Sequence, residues 1–220
     1  MRISELSKTD SKILQTRKWS GVQKVQSFLA RQGYDYVDEG VYSIVFAKPR
    51  GKFVVKVSKK EDVCYLEFAR WASAQKNNPW LPKIKFMKDF QVTTRDGEKV
   101  TFLITAIEKL HTLKGGVISN IRWTHHQLPL LLFLSQEMSF GNQLQNAYTD
   151  LFKKTYGRDI NLTDEYEMSG KFKKNSMLPR TIDTIDELLS TDCRKDMHLG
   201  NIMLRPGTKQ IVIIDPLAAR

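Results

Sequence analysis

The spacing of apolar residues divides the chain into a strand-rich first part and a mainly helical second part. Within the segment from Ser11 to Gln32, Val22, Val25, Phe28 and Leu29 recur at steps of three and four, which predicts an amphipathic helix that Gly33 ends. Two β-rich runs, 41–46 and 53–57, flank a Lys-Pro-Arg-Gly-Lys turn and predict a hairpin. The further predicted elements are a helix over 62–75, strands over 84–90 and 100–107, helices over 127–138, 142–156 and 181–190, a loop-rich segment over 162–179, and a buried strand over 210–214.

This order of elements predicts an α+β fold made of two parts. The character of the sequence changes near 110–116, where two glycines stand together. We therefore expect an N-terminal helix and a β-rich lobe over 1–110, followed by a mainly helical lobe over 111–220. Because ligand clefts favour junctions between such parts, a binding site is expected where they meet.

Composition and charge limit the function classes without selecting one. The formal net charge of +11 favours polyanionic partners such as nucleotides, nucleic acid or acidic protein surfaces. Cys64 and Cys193 are the only cysteines, too few for a disulfide framework or a four-ligand zinc site. No apolar signal segment follows Met1, and the run from Leu128 to Leu134 is too short to cross a bilayer. We therefore expect a cytoplasmic protein without a membrane partner.

The segment 196–204 carries the residues that point most clearly to chemistry. It reads DMHLGNIML and is followed, after a short gap, by the apolar run IVII and then Asp215. Asn201 and Asp215 offer hard oxygen ligands of the kind that Mg²⁺ prefers. Asp196 offers a carboxylate that could accept or orient a hydroxyl proton. Phosphoryl transfer needs both functions, since a metal neutralises the phosphates while a carboxylate positions the nucleophile.

Each of these residues alone also has a purely structural interpretation. An Asp or Asn in a loop often forms a turn or caps a helix, and an Asp at a strand end is common. The complete pattern D-x-H-x-x-N, two apolar runs and a final Asp is much harder to obtain by chance. The combination therefore favours a functional site.

The same segment resembles the catalytic and metal-binding loops of the protein kinase-like superfamily. Its D-x-H-x-G-N form is shared with aminoglycoside and choline kinases. The wider chain is similar to the early serine/threonine protein kinases of lytic coliphages, in which a KKED run also follows the strand lysine, as at 59–62 here. The resemblance implies an ATP- and Mg²⁺-dependent kinase, with Asp196 catalytic, Asn201 and Asp215 binding metal, and His198 supporting the loop.

The resemblance also assigns roles in the first lobe. Lys56, flanked by valines in a predicted strand, would hold the α- and β-phosphates. Its carboxylate partner would come from the next helix, with Glu67 as first candidate and Glu61 or Asp62 as alternatives.

The nucleotide-covering loop of the superfamily corresponds to 38–45 in this chain. Gly40 is the one glycine that it keeps, while Tyr42 occupies the aromatic position and Ser43 that of the last glycine. A loop with one glycine can still bring backbone N–H groups towards phosphate, although less closely. Backbone groups from Ala106 to Glu108, in the connection between the lobes, would contact adenine.

Two departures from the resembled pattern keep other functions open. Asp215 is followed by Pro-Leu, and the chain ends at Arg220, so no activation segment is expected and the second lobe is expected to be truncated. The alternatives are a small-molecule kinase of the aminoglycoside or choline type, and a pseudokinase that acts by binding a host factor. For a protein kinase, the resemblance implies an infected bacterial cytoplasm and host substrates from transcription, RNA processing or defence.

Two further features have mainly structural interpretations. The pair at 125–126 is an isolated His-His without other candidate ligands, so solvated helix residues are favoured over a metal site. The basic run at 171–174 is typical of a solvated loop, although it could contact an acidic partner or nucleic acid. No nucleic-acid-binding motif supports the latter.

Overall fold

The structure is a computed structural model that describes residues 21–40, 42–112, 141–161, 176–189, 192–208 and 210–219, together with 130, 132–134, 164–165, 167–168, 170 and 172. The described residues belong to two compact units. The first unit contains the residues up to Leu66 together with Lys83–Lys109, and the second contains Glu67–Pro82 and the residues from Leu110 onward. No helix in the described part of the chain is long and apolar enough to cross a bilayer.

A five-stranded antiparallel sheet forms the centre of the first unit. Its strands are β1 (Asp35–Glu39), β2 (Ser43–Ala47), β3 (Phe53–Lys59), β4 (Ile84–Thr93) and β5 (Lys99–Glu108). They lie side by side in the order β1-β2-β3-β5-β4. Helix α1 (Val22–Arg31) precedes the sheet, and helix α2 (Val63–Ala74) follows β3 in the chain.

Helix α1 packs on one face of this sheet because its apolar stripe matches the alternation of the strands. Val25 and Leu29 of the helix join a buried cluster that includes Val55 and Val57 of β3. Successive side chains of a strand point to opposite faces, so Lys56 lies on the face away from α1. The sheet thus has an apolar face under α1 and a second face that carries a buried lysine.

Gly21 allows α1 to begin close to β4. Its φ of +81° is a left-handed conformation that favours glycine, and a Cβ here would lie 2.5 Å from Cγ2 of Val92. Any larger residue would therefore strain the backbone and push the helix away from the sheet.

In its described part, the second unit combines helices with short strands. The helices include α3 (Gly141–Tyr156) and α4 (Met177–Glu187), and the strands are β6 (His111–Thr112), β7 (Cys193–Lys195), β8 (Ile202–Leu204), β9 (Ile211–Ile213) and β10 (Leu217–Ala219). Strands β6, β8 and β9 form one antiparallel sheet, while β7 pairs with β10. The backbone N–H of Ile213 donates to the carbonyl of Trp80 at 2.8 Å, which joins β9 to the segment 67–82.

The α+β class is confirmed, as are the hairpin, α2, α3 and strands β4, β5 and β9. The predicted first helix is confirmed over Val22–Arg31, and its earlier residues lie outside the described part of the chain. The described residues of the helix predicted over 127–138 are helical, and the others lie outside the description.

Three sequence-based expectations need correction. Strand β1 was not predicted because three of its five residues are acidic, a composition that strands disfavour but that an edge strand tolerates. Helix α4 begins at Met177, earlier than predicted, because Ser176 caps it and Pro179 lies in the first turn, where proline is accepted. Within the segment 162–179, which was predicted to be loop-rich, the described residues from 164 to 172 are helical and those from 177 to 179 belong to α4.

Candidate functional site

The segments around Asp196 and Asp215 run side by side in the second unit. The backbone N–H of Asp196 donates to the carbonyl of Pro216 at 2.7 Å, next to the pairing of β7 with β10. The N–H of Ile214 donates to the carbonyl of Asn201 at 2.9 Å, next to the pairing of β8 with β9. Asp215 lies between these two hydrogen bonds in sequence. The strand pairing therefore brings the backbone of Asp215 beside both ends of the segment 196–201.

The side chain of Asn201 closes this segment into a loop. Its Nδ2 donates to the backbone carbonyl of Asp196 at 2.7 Å and to Oδ2 of the same residue at 3.1 Å. The backbone N–H of Asn201 donates to the carbonyl of His198 at 2.9 Å. With Nδ2 used in this way, Oδ1 is the atom of Asn201 that could ligate a cation.

His198 positions the carboxylate of Asp196. The N–H of Gly200 donates to Nδ1 of His198 at 3.0 Å. Its Nε2 lies 3.4 Å from Oδ2 of Asp196 and 3.0 Å from Nδ2 of Asn201. The ring thus faces both residues that the loop presents, and its supporting role stays a prediction.

Gly200 is a positioning residue that was not singled out from the sequence. A Cβ at this position would lie 2.7 Å from Cε1 and 3.0 Å from Nδ1 of His198, so the imidazole would have to move. The signal was already present in the D-x-H-x-G-N spacing, which requires a glycine between the histidine and the asparagine. The glycine leaves room for the His198 imidazole, a function that follows only from the position of the ring.

The donor set of the loop fits Mg²⁺ bound together with a phosphate. Asn201 and Asp215 supply one amide oxygen and one carboxylate, both hard ligands. The described residues contain no group of three or more His, Cys, Asp or Glu side chains that could hold a metal ion. An all-protein cage is therefore not formed by these residues, whereas Mg²⁺ commonly takes one or two protein ligands and completes its shell with water and phosphate oxygens.

Lys56 is buried in the first unit, with only 8% of its surface exposed. It lies in the middle of β3, opposite Val45 of β2 and Thr105 of β5. Its Nζ is 3.3 Å from the centroid of the Tyr65 ring, which gives a cation–π contact. Tyr65 was not predicted as a functional residue, since a tyrosine at the start of an amphipathic helix carries no distinguishing signal.

The carboxylate partner of Lys56 stays a prediction. Glu67, the first candidate, belongs to the second unit, whereas Lys56 belongs to the first. Asp62, one of the alternatives, caps the following helix, because its Oδ1 accepts from the N–H of Tyr65 at 3.3 Å.

The predicted nucleotide-covering loop corresponds to the tight connection between β1 and β2. The N–H of Gly40 donates to the carbonyl of Ser43 at 2.7 Å, and the carbonyl of Tyr42 accepts from the N–H of Lys59 at 3.0 Å. Tyr42 is 41% exposed. These residues therefore form a compact hairpin turn, and their contact with nucleotide stays a prediction.

The predicted adenine contacts, in contrast, lie inside the sheet. Ala106 is 2% exposed and belongs to β5, between Val55 of β3 and Phe86 of β4. The N–H of Glu108 donates to the carbonyl of Lys83 at 2.9 Å. Because β5 has a partner strand on both sides, its backbone groups take part in the sheet. Contact of Ala106 and Glu108 with adenine stays a prediction.

Comparison with known proteins returns little at the level of sequence. No family model matches the chain, and no curated protein matches it. Among solved structures, the kinase domain of PknI from Mycobacterium tuberculosis is similar at 11% identity and a TM-score of 0.36. The match covers 83% of this chain and 59% of that chain, so this chain spans less than two thirds of its length. A likeness this weak carries no argument about activity.

Proposed function

We propose that this protein is an ATP- and Mg²⁺-dependent phosphotransferase of the protein kinase-like type. The observation that carries the proposal is the hydrogen-bonded loop in which Asn201 and His198 hold Asp196, with Asp215 joined to it by strand pairing. A carboxylate held beside a metal-binding amide and a second carboxylate is the set of groups that phosphoryl transfer requires.

In this proposal each residue of the loop has one function. Asp196 accepts a hydrogen bond from the attacking hydroxyl and so orients the hydroxyl oxygen. His198 holds the Asp196 carboxylate in place. Asn201 and Asp215 would hold Mg²⁺ through Oδ1 and a carboxylate oxygen. When bound, the metal supplies charge neutralisation to the phosphate oxygens.

Lys56 supports the proposal from the first unit. The α- and β-phosphates of ATP are commonly held by a lysine on the third strand of the nucleotide-binding sheet, followed by a helix. Lys56 lies on β3, and α2 follows it. Lys56 is also buried, and the ring of Tyr65 contacts its ammonium group, which keeps Nζ near the sheet.

The acceptor that we propose is a Ser or Thr hydroxyl of a protein. The net charge of +11 favours acidic protein surfaces as partners. On the coliphage resemblance, these would be host proteins of transcription, RNA processing or defence in an infected bacterial cytoplasm. A small-molecule acceptor is the second candidate, because the His198–Asp196 contact belongs to the D-x-H-x-G-N form shared with aminoglycoside and choline kinases.

The test is label transfer from γ-labelled ATP with Mg²⁺, using bacterial lysate as acceptor. Wild type should label itself or lysate proteins, whereas Asp196→Asn and Asp215→Ala should lose at least about 100-fold in rate. Asp183→Asn, an exposed aspartate of α4, is the matched control and should be unaffected. Label that appears on an aminoglycoside or choline but on no protein would select the small-molecule enzyme. Nucleotide binding without transfer would indicate a pseudokinase, and no nucleotide binding would refute the proposal.

A further inference from the structure

A groove opens in the first unit between the C-terminal half of α1 and the sheet. Its volume is about 360 Å³, which is at the lower end of the range for ligand sites. Leu29, Val55 and Ile104 line it with buried apolar surface. Phe28 and Phe86 also line it, although each is 38% exposed. We call this feature the α1–β4 groove. Large aromatic rings left partly in water around a buried apolar base are typical of a surface that a partner covers.

Two lysines give the groove a positive rim. Nζ of Lys48 lies 4.8 Å from the centroid of the Tyr34 ring, and Nζ of Lys88 lies 5.8 Å from that of Phe86. All four side chains line the groove. The ammonium groups are thereby held beside the aromatic surface, where an acidic group and an apolar side chain of one ligand could be bound together.

Asp89 does not cancel this charge. It also lines the groove, but its Oδ2 is 3.2 Å from Nζ of Lys60, so its carboxylate is already paired. The net electrostatic preference of the groove is therefore for an anion. Charge complementarity thus selects an acidic ligand over a basic or neutral one.

The groove also borders an open strand edge. Strand β4 is the last strand in the order β1-β2-β3-β5-β4, so within the described sheet it pairs with β5 alone. Its alternate residues Phe86, Lys88 and Phe90 line the groove. A peptide that added to this edge would send every second side chain towards the groove, as in recognition by β-strand addition.

We propose that the α1–β4 groove docks an extended acidic segment of a partner protein, with a Phe or similar large apolar anchor among its acidic residues. The anchor side chain enters between Phe28 and Phe86, carboxylates meet Lys48 and Lys88, and the backbone pairs with β4. This site is independent of the proposed phosphotransfer, because its lining includes neither Lys56 nor the loop residues. It provides a way to recruit a protein partner.

The proposal is tested by fluorescence polarisation with the full chain and no nucleotide. The probe is a labelled peptide of about eight residues with a central Phe among glutamates and without Ser or Thr, so that no phosphotransfer can interfere. Phe86→Ala and Lys88→Glu should each weaken binding at least about tenfold, whereas Lys99→Glu, an exposed lysine of β5 outside the groove, should change it less than about twofold. Phe86 is partly exposed and both lysines are on the surface, so all three variants should fold, which circular dichroism verifies.

Altered peptides separate docking from simple charge attraction. Replacing the central Phe by Ala, or N-methylating every second amide on one edge of the peptide, should each abolish most of the binding. Equal binding of the Ala peptide would reduce the groove to a charged patch and overturn the proposal. Equal weakening by Lys99→Glu would do the same. A concentration-dependent dimer that Phe86→Ala dissolves would assign the groove to a second copy of this chain and would also overturn it.

Discussion

Replacing Asn201 by Ala should destabilise the second unit by about 2 kcal/mol. The substitution removes the Nδ2 hydrogen bonds to the carbonyl and to Oδ2 of Asp196, at 2.7 and 3.1 Å. A neutral hydrogen bond contributes about 1 kcal/mol, and one to a charged group about 1.5–3 kcal/mol. The Asp196 side chain is 36% exposed, so solvent screening places the second bond at or below the bottom of that range. With a urea slope of about 2 kcal/mol/M, the midpoint should fall by about 1 M.

The measurement is urea unfolding followed by tryptophan fluorescence and by circular dichroism. Asn77→Ala, which alters an exposed asparagine of the same unit, is the matched control and should stay within about 0.5 kcal/mol of wild type. Asn201→Asp keeps an oxygen ligand but removes both donors and adds a charge beside Asp196, so it should be at least as destabilising as Ala. If Asn201→Ala unfolds at the wild-type midpoint, the amide does not hold the loop and the reasoning about the site is refuted.

Three further predictions test the core, the second unit and the pH response. Phe46→Ala, at a position 1% exposed, should cost about 3–5 kcal/mol in urea unfolding, and a loss below about 1 kcal/mol would contradict the packing of α1 on the sheet. Arg205→Ala removes donors to the carbonyls of Pro79 (3.0 Å) and Leu81 (3.1 Å) and should lower the unfolding free energy by about 2 kcal/mol; no change would mean that these bonds are not formed. Burial, followed by nearby carboxylates, raises the pKa of Tyr148 above its ordinary value of 10.0, so its phenol stays neutral in the folded protein. Because the unfolded phenol ionises first, the stability that depends on this group is complete below about pH 10 and is lost above it. Urea unfolding should show that Tyr148→Phe reduces this alkaline loss, and an unchanged profile would contradict the prediction.

The secondary structure was predictable where the local pattern was strong. Buried strands such as β3 and β9 are rich in β-branched residues, and α1 has an apolar stripe, so each carries its own signal. Strand β1 carries no such signal, because an acidic edge strand is stabilised by its pairing with β2. The start of α4 was predicted too late because proline is typical of a loop. The Ser176 cap, which places Pro179 in the first turn of the helix, is known only from the structure.

The residues of the candidate site also differ in how far the sequence predicts them. The spacing of Asp196, His198 and Asn201 is short enough to lie within one loop, so the sequence alone was sufficient to select these residues together. The contact of Lys56 with Tyr65, in contrast, depends on the packing of a helix against a strand. The placement of Ala106 within the sheet depends on two strands that pair with β5.

The sequence by itself determined the order of most elements, the α+β class and the loop residues, because periodicity and motif spacing act over a few residues. The tertiary structure decided the face of the sheet that carries Lys56, the ring position that makes Gly200 necessary, and the existence of the α1–β4 groove. Those features depend on strand register and helix packing between residues far apart in the chain. A shift of one residue in the register of a strand would turn each of its side chains to the opposite face of the sheet.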